Sequence, residues 1–196
     1  QVSSNIFIWD YVYTFNDRFL QAPDLLHNIE NLRNFRNSGV KAVFTEGAFA
    51  RAIPQTGAPM RTWLIARAMW DPDECGDGRA LLRTFCVEYY GTKAGTFIHK
   101  YLLLLHNENN RQKFYRFTGS GAIGNAAFNS EKNSLKAYDL FQQALQAASF
   151  NNTYTGRVKD AYMPLQYHLI ANNIMPPGET REKMTGELLA HAESIL

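Results

Sequence analysis

The chain has 196 residues, room for one domain or for one domain with an appendage. Apolar residues make up 45 % and charged residues 19 %, which excludes a disordered polyelectrolyte. The net charge is only +2 with the basic residues scattered, and no apolar run nears the roughly 18 residues of a membrane span, so neither a nucleic-acid stripe nor a bilayer helix is written here.

The first element is the apolar and aromatic run 6–15, which reads as a strand. Ile6 and Ile8 face one way, Phe7 and Trp9 the other, and strands apolar on both faces are those of parallel sheets buried on both sides. A polar and aromatic loop, 16–22, leads to Pro23, a residue suited to the first turn of a helix. Leu25, Leu26, Ile29, Leu32 and Phe35 then recur at helical spacing, and Ser38-Gly39 closes that helix. A second strand begins at once from Val40 and runs through Glu46-Gly47-Ala48. Strand, helix and strand in this order form a βαβ unit with parallel strands.

Beyond a loop at 51–59, helices dominate. Apolar spacing and punctuation place them at 61–70, 78–90, 93–106, 131–148, 155–172 and 178–196, with a glycine-bearing irregular stretch over 107–129. Trp63 and Trp70 lie seven apart in the first of these, on one face, and are expected to pack against the barrel to which the strand-helix-strand unit would belong. Asp71 before Pro72 is expected to end that helix and cap the next segment. Cys75 and Cys86 are the only cysteines, and two free thiols are the expectation. The five histidines show no metal spacing, none sits in a recognisable nucleophile motif, and no cofactor or metal site is read from the sequence.

Chemistry is expected where the two apolar runs stop, because the carboxyl ends of parallel strands form the floor of α/β sites. Trp9 stands there, and an indole stacks on the apolar C–H face of a sugar ring. Tyr11 and Tyr13 are expected at the same rim. Asp10 and Glu46 are the acidic pair. A charge beside a buried apolar run costs several kcal/mol unless paired or wetted, and a functional site is one place where that is tolerated. Glycoside hydrolysis uses two carboxyl groups, so Asp10 and Glu46 are the candidate catalytic pair. Trp9, Asp10, Tyr11, Tyr13 and Glu46 are the candidate substrate-binding set, gripping hydroxyls by charge-assisted hydrogen bonds. The structural alternatives are a core tryptophan, a turn aspartate, and a Glu46 paired with Arg51 or Arg67.

Trp9-Asp10-Tyr11, Pro23 with its helix carrying Asn31, Leu32 and Phe35, and the run from Gly39 to Gly47 form an ordered set. Leu64 to Pro72, Phe85 and Glu88-Tyr89-Tyr90-Gly91 continue it. This succession resembles the DUF4838 family over roughly residues 6–105. The resemblance implies a bacterial carbohydrate-active protein whose fold is similar to the TIM-barrel glycoside hydrolases. It makes the two strands the last two of a (β/α)8 barrel in an α/β fold. Residues 1–58 would be the closing βα units and 59–196 a mostly α-helical region. The other strands would come from a missing N-terminal part of the same polypeptide. It implies an oligosaccharide or polysaccharide as partner and a secreted, periplasmic or cell-surface location. Three functions remain open: part of a glycoside-hydrolase-like protein, a non-catalytic carbohydrate-binding module, or a helical interaction domain.

Overall fold

The computed structural model describes residues 4–12, 25–46, 57–112 and 129–195. Its elements in chain order are β1 (Phe7–Tyr11), α1 (His27–Asn37), β2 (Ala42–Glu46), α2 (Ala58–Trp70), α3 (Arg79–Tyr90), α4 (Thr92–Gln112), α5 (Glu131–Ala148), α6 (Asn152–Ala171) and α7 (Arg181–Ser194). The fold is mixed but mostly helical. β1 and β2 pair in parallel, in a register running from Phe7 opposite Ala42 to Tyr11 opposite Glu46.

The βαβ reading therefore holds, with shorter strands than the apolar runs suggest. β2 starts at Ala42 rather than Val40 because the preceding backbone is already committed. At the end of α1 the Gly39 N–H donates to Arg36 O, the Val40 N–H donates to Phe35 O, and the Lys41 N–H donates to Ile6 O. Gly39 makes this exit possible in the left-handed region, at φ +79°. The expected continuation of β1 through 13–15 and of the second strand through 47–48, and the start of the first helix at Pro23, lie outside the described residues.

One continuous hydrophobic cluster runs from Val12 and α1 through the helices to Met184 of α7. Helix α4 packs against α3 and α5, α6 packs against α5, α3 and α7, and α2 bridges α1 and α3. Tyr101, Phe141 and Tyr162 carry a row of ring contacts through the middle, at 4.7 and 4.9 Å between centroids. All three are buried, so the tyrosine-rich composition serves the helical core here.

Polar clamps hold the βαβ unit to the helices. Arg33 of α1 donates to the carbonyls of Pro72 and Gly76, both at 2.7 Å, and to Asp73 at 3.3 Å. Arg36 adds ion pairs to Asp73 and to Asp71, and its guanidinium holds the Asp73 carboxyl below the usual range. Asp71 ends α2 as expected, and its Oδ1 accepts the N–H of Asp73 at 2.9 Å.

Two expectations need correction. Trp63 packs against Phe85 at 5.7 Å, but Trp70 is 87 % exposed. A seven-residue step drifts only about 20° on an α-helix, so the two share a face, but Trp70 is the last residue of α2 and stands at its uncovered end. Helix α4 also runs on to Gln112, through a polar stretch that reads as a loop. Asn109 is buried there, Glu108 and Arg111 pair at 2.9 Å, and Asn110 bridges His106 and His27 at 3.0 and 2.8 Å.

Candidate functional site

Strand geometry decides which predicted residues meet. Side chains alternate between the two faces of a sheet, so Phe7, Trp9 and Tyr11 share one face with Ala42, Phe44 and Glu46. Ile8, Asp10, Val43 and Thr45 lie on the other. The two faces differ in cover. Phe7 is 73 % exposed, Trp9 63 % and Phe44 56 %, whereas Ile8, Asp10, Val43 and Thr45 are all half-buried. Val43 packs against the hydrophobic cluster, which marks its face as the one turned toward the helices. The expectation that both faces are covered is met on that side alone.

The exposed face is ordered by aromatic and polar contacts. The Trp9 indole stands edge-on to Phe44 at 4.9 Å and nearly parallel to Tyr11, with 6.3 Å between centroids and 27° between planes. Its Nε1–H donates to Glu46 Oε2 at 2.8 Å. This bond crosses from β1 to β2 at their carboxyl ends. It fixes the ring's orientation and uses one carboxylate oxygen, while Oε1 makes no hydrogen bond among the described residues. A charge-assisted acceptor beside an exposed indole is an arrangement able to take a hydroxyl and an apolar ring face together.

The structure thus brings Trp9, Tyr11 and Glu46 together. It sets Asp10 on the opposite face, in register with Thr45, so Asp10 and Glu46 do not project from one surface. Tyr13 lies outside the described residues. Glu46 takes Trp9 as its partner rather than Arg67, and Arg51 lies outside the described residues. Phe44 belongs to the cluster and was not singled out from sequence. The two-residue alternation that pairs it with Trp9 was the available signal, and the same alternation separates Asp10 from its neighbours.

A second polar constellation is buried among the helices. Ser134 Oγ lies 3.1 Å from His168 Nε2, and Asn172 Nδ2 lies 3.1 Å from His168 Nδ1. The spacing looks like a serine nucleophile with its base, but the proton sits on the wrong nitrogen. Asn172 donates its amide N–H to Nδ1 and also to the His168 carbonyl, so Nδ1 accepts and Nε2 carries the hydrogen. Nε2–H then donates to Ser134, and the histidine cannot take that hydroxyl's proton. Burial lowers the His168 pKa and keeps the ring neutral. The trio is structural, tying α5 to α6.

Among the described residues no group of three or more His, Cys, Asp or Glu side chains is placed to hold a metal ion. No described helix is long and apolar enough to cross a membrane. Cys75 and Cys86 are both free and buried.

Comparison with family models matches residues 1–103 to the family described as a domain of unknown function (DUF4838). No curated protein matches the chain. No solved structure matches it either.

Proposed function

This chain belongs to the DUF4838 family, and from that premise we propose that its exposed sheet face binds a saccharide of a polysaccharide or glycan, as part of a glycoside-hydrolase-like protein acting outside the cytoplasm. The observation that carries the reading is the Trp9 Nε1–H to Glu46 Oε2 bond at 2.8 Å, set among exposed aromatic rings where two parallel strands end. Trp9 and Tyr11 take the apolar face of the ring. Glu46 Oε1, which makes no hydrogen bond among the described residues, accepts a hydroxyl.

In this reading β1, α1 and β2 are one unit of a (β/α)8 barrel. The aromatic face is then the inner surface, and the strand ends open on the site. Hydrolysis takes two carboxyl groups flanking one glycosidic bond. Glu46 is on the ligand-facing surface and Asp10 is not, so Glu46 positions substrate or serves as one of the pair, and its counterpart comes from another strand. Asp10 supports the strand end from behind.

Titrating the polypeptide with neutral and acidic oligosaccharides by calorimetry tests this. Trp9→Ala should remove binding, and Glu46→Gln should weaken it by about tenfold, or about 1.4 kcal/mol. Affinity and turnover untouched by both variants would end the proposal. The near-parallel Trp9 and Tyr11 rings also suit a non-catalytic binding module. Retained binding with no release of reducing ends would favour that second reading.

A further inference from the structure

The aromatic face of the sheet carries a charge that its neighbours do not balance. Phe7, Trp9, Tyr11, Ala42, Phe44 and Glu46 share that face, and of these only Glu46 is acidic and none is basic. Neither β1 nor β2 contains a lysine, an arginine or a histidine. Lys41 precedes β2 at its far end, about 16 Å from Glu46 at the usual strand rise. Arg33 and Arg36 of α1 are held by Asp71 and Asp73. Glu46 forms no ion pair among the described residues, and its donor is the neutral indole N–H of Trp9 at 2.8 Å. That bond orients the carboxylate without compensating its charge.

The rings beside it favour positive charge as well. Trp9 and Tyr11 are both exposed, with 27° between their planes, so ring surface of each is open to a ligand. The face of an aromatic ring is the negative side of its quadrupole. A cation resting there gains an attraction that a neutral group does not.

The charge grades the sugars this face can take. A neutral sugar gives Glu46 Oε1 a hydroxyl proton but leaves the charge in place. A uronate brings a second carboxylate, which has no proton to donate at neutral pH and meets a like charge. A protonated amine donates and neutralises at once, in a charge-assisted hydrogen bond. We propose that the sheet face selects a saccharide bearing a free ammonium group, a glucosamine-type residue, over neutral and acidic sugars. The ammonium sits on Glu46 Oε1 and the C–H face of the ring on Trp9. This rests on the reading that the face binds a saccharide, and makes Glu46 the residue that sets its charge preference. It can fail while that reading stands.

The test is ligand-observed NMR and calorimetry on the full chain, with the methyl glycosides of glucosamine, N-acetylglucosamine, glucose and glucuronic acid as probes. The buffer is slightly acidic and low in salt, so that the amine is protonated. The glucosamine glycoside should bind about fivefold or more tighter than the glucose glycoside, the combined effect of an exposed ion pair and a cation beside an indole. N-acetylation removes the charge and keeps the nitrogen, so that glycoside should fall back to the glucose value, and the glucuronide should bind weakest. Salt at about 1 M should shrink the amino preference. Glu46→Gln is isosteric and keeps an acceptor for Trp9; in it the amino-to-neutral ratio should fall to about one and the glucuronide should no longer rank last. Trp9→Ala should remove binding of all four. Equal binding of the amino and neutral glycosides, tightest binding of the glucuronide, or an amino preference that persists in Glu46→Gln overturns the charge selection and leaves the sheet-face reading intact. Ethylammonium, the same charge without a ring, competing as well as the glucosamine glycoside overturns it too. So does absence of binding by every glycoside at millimolar concentration, and the oligosaccharide titration then decides the sheet-face reading separately.

Discussion

Replacing Gly95 by alanine tests how α3 and α4 are joined. Gly91 separates the two helices, so the first turn of α4 lies against the last turns of α3. A Cβ on Gly95 would stand 2.1 Å from Cys86 O, 2.5 Å from its carbonyl carbon and 2.8 Å from Val87 Cα. All three are backbone atoms, so no rotamer change relieves the overlap. Ordinary contact returns only if the helices part by about 1 Å or more. Leu82, Phe85 and Cys86 on one side and Ala94 and Ile98 on the other are buried and would lose packing. Overpacking costs about 1–3 kcal/mol in general, and rigid backbone on both sides places this site at or above the top of that range. Helix propensity returns about 1 kcal/mol on going from glycine to alanine. The net loss is about 2 kcal/mol, a fall in melting temperature of about 4–8 °C for a chain of this size. Thermal unfolding monitored by circular dichroism measures it. Gly156→Ala and Gly186→Ala are the controls, since a Cβ at either meets nothing within 4 Å, and each should be neutral or stabilising by up to about 1 kcal/mol. A Gly95→Ala protein that melts at or above the parent temperature, with the controls behaving as stated, would refute the close-approach argument.

Trp9→Phe keeps an aromatic face but deletes the N–H given to Glu46. It should retain weak saccharide binding where Trp9→Ala loses it, and equal affinities for the two in calorimetry would count against the indole's role. Burial lowers the pKa of His168 and of His99, so the unfolded chain binds protons first as pH falls through its own value near 6.5. Stability is therefore full above that pH and declines below it, until the folded-state values are passed. Urea midpoints between pH 7.5 and 5 should fall, with a shallower slope in His168→Asn, and an unchanged slope would contradict the assignment. Burial pushes the Cys86 thiol up to about 12 and the Cys75 thiol up as well, so neither is a ready nucleophile. Iodoacetamide at neutral pH should label neither in the native protein and both in urea, by intact mass.

The order of elements was legible because its marks are local. Leu25 to Phe35 at helical spacing with Gly39 behind them, and the apolar runs on either side, announce strand, helix, strand without any knowledge of packing. The polar run after His106 was misleading for a physical reason: Asn109 and Asn110 stay helical because side chains from α1 and α4 meet there, and a linear sequence does not display partners 83 residues apart. The site was half legible. Aromatic and acidic residues at the strand ends were visible, and the period of two was visible too. The register was not, and register is what joins Trp9 to Glu46, while the alternation alone turns Asp10 away.

The pairing of β1 and β2 has a practical consequence for any measurement at the aromatic face. Among the described residues these strands form a sheet with each other alone, and an outer strand edge not covered by further strands of a barrel is a template for a strand from elsewhere. A second molecule offering its own strand competes with sugar for the same neighbourhood, and the competition grows with protein concentration. Apparent affinities for Trp9-dependent ligands should therefore tighten on dilution.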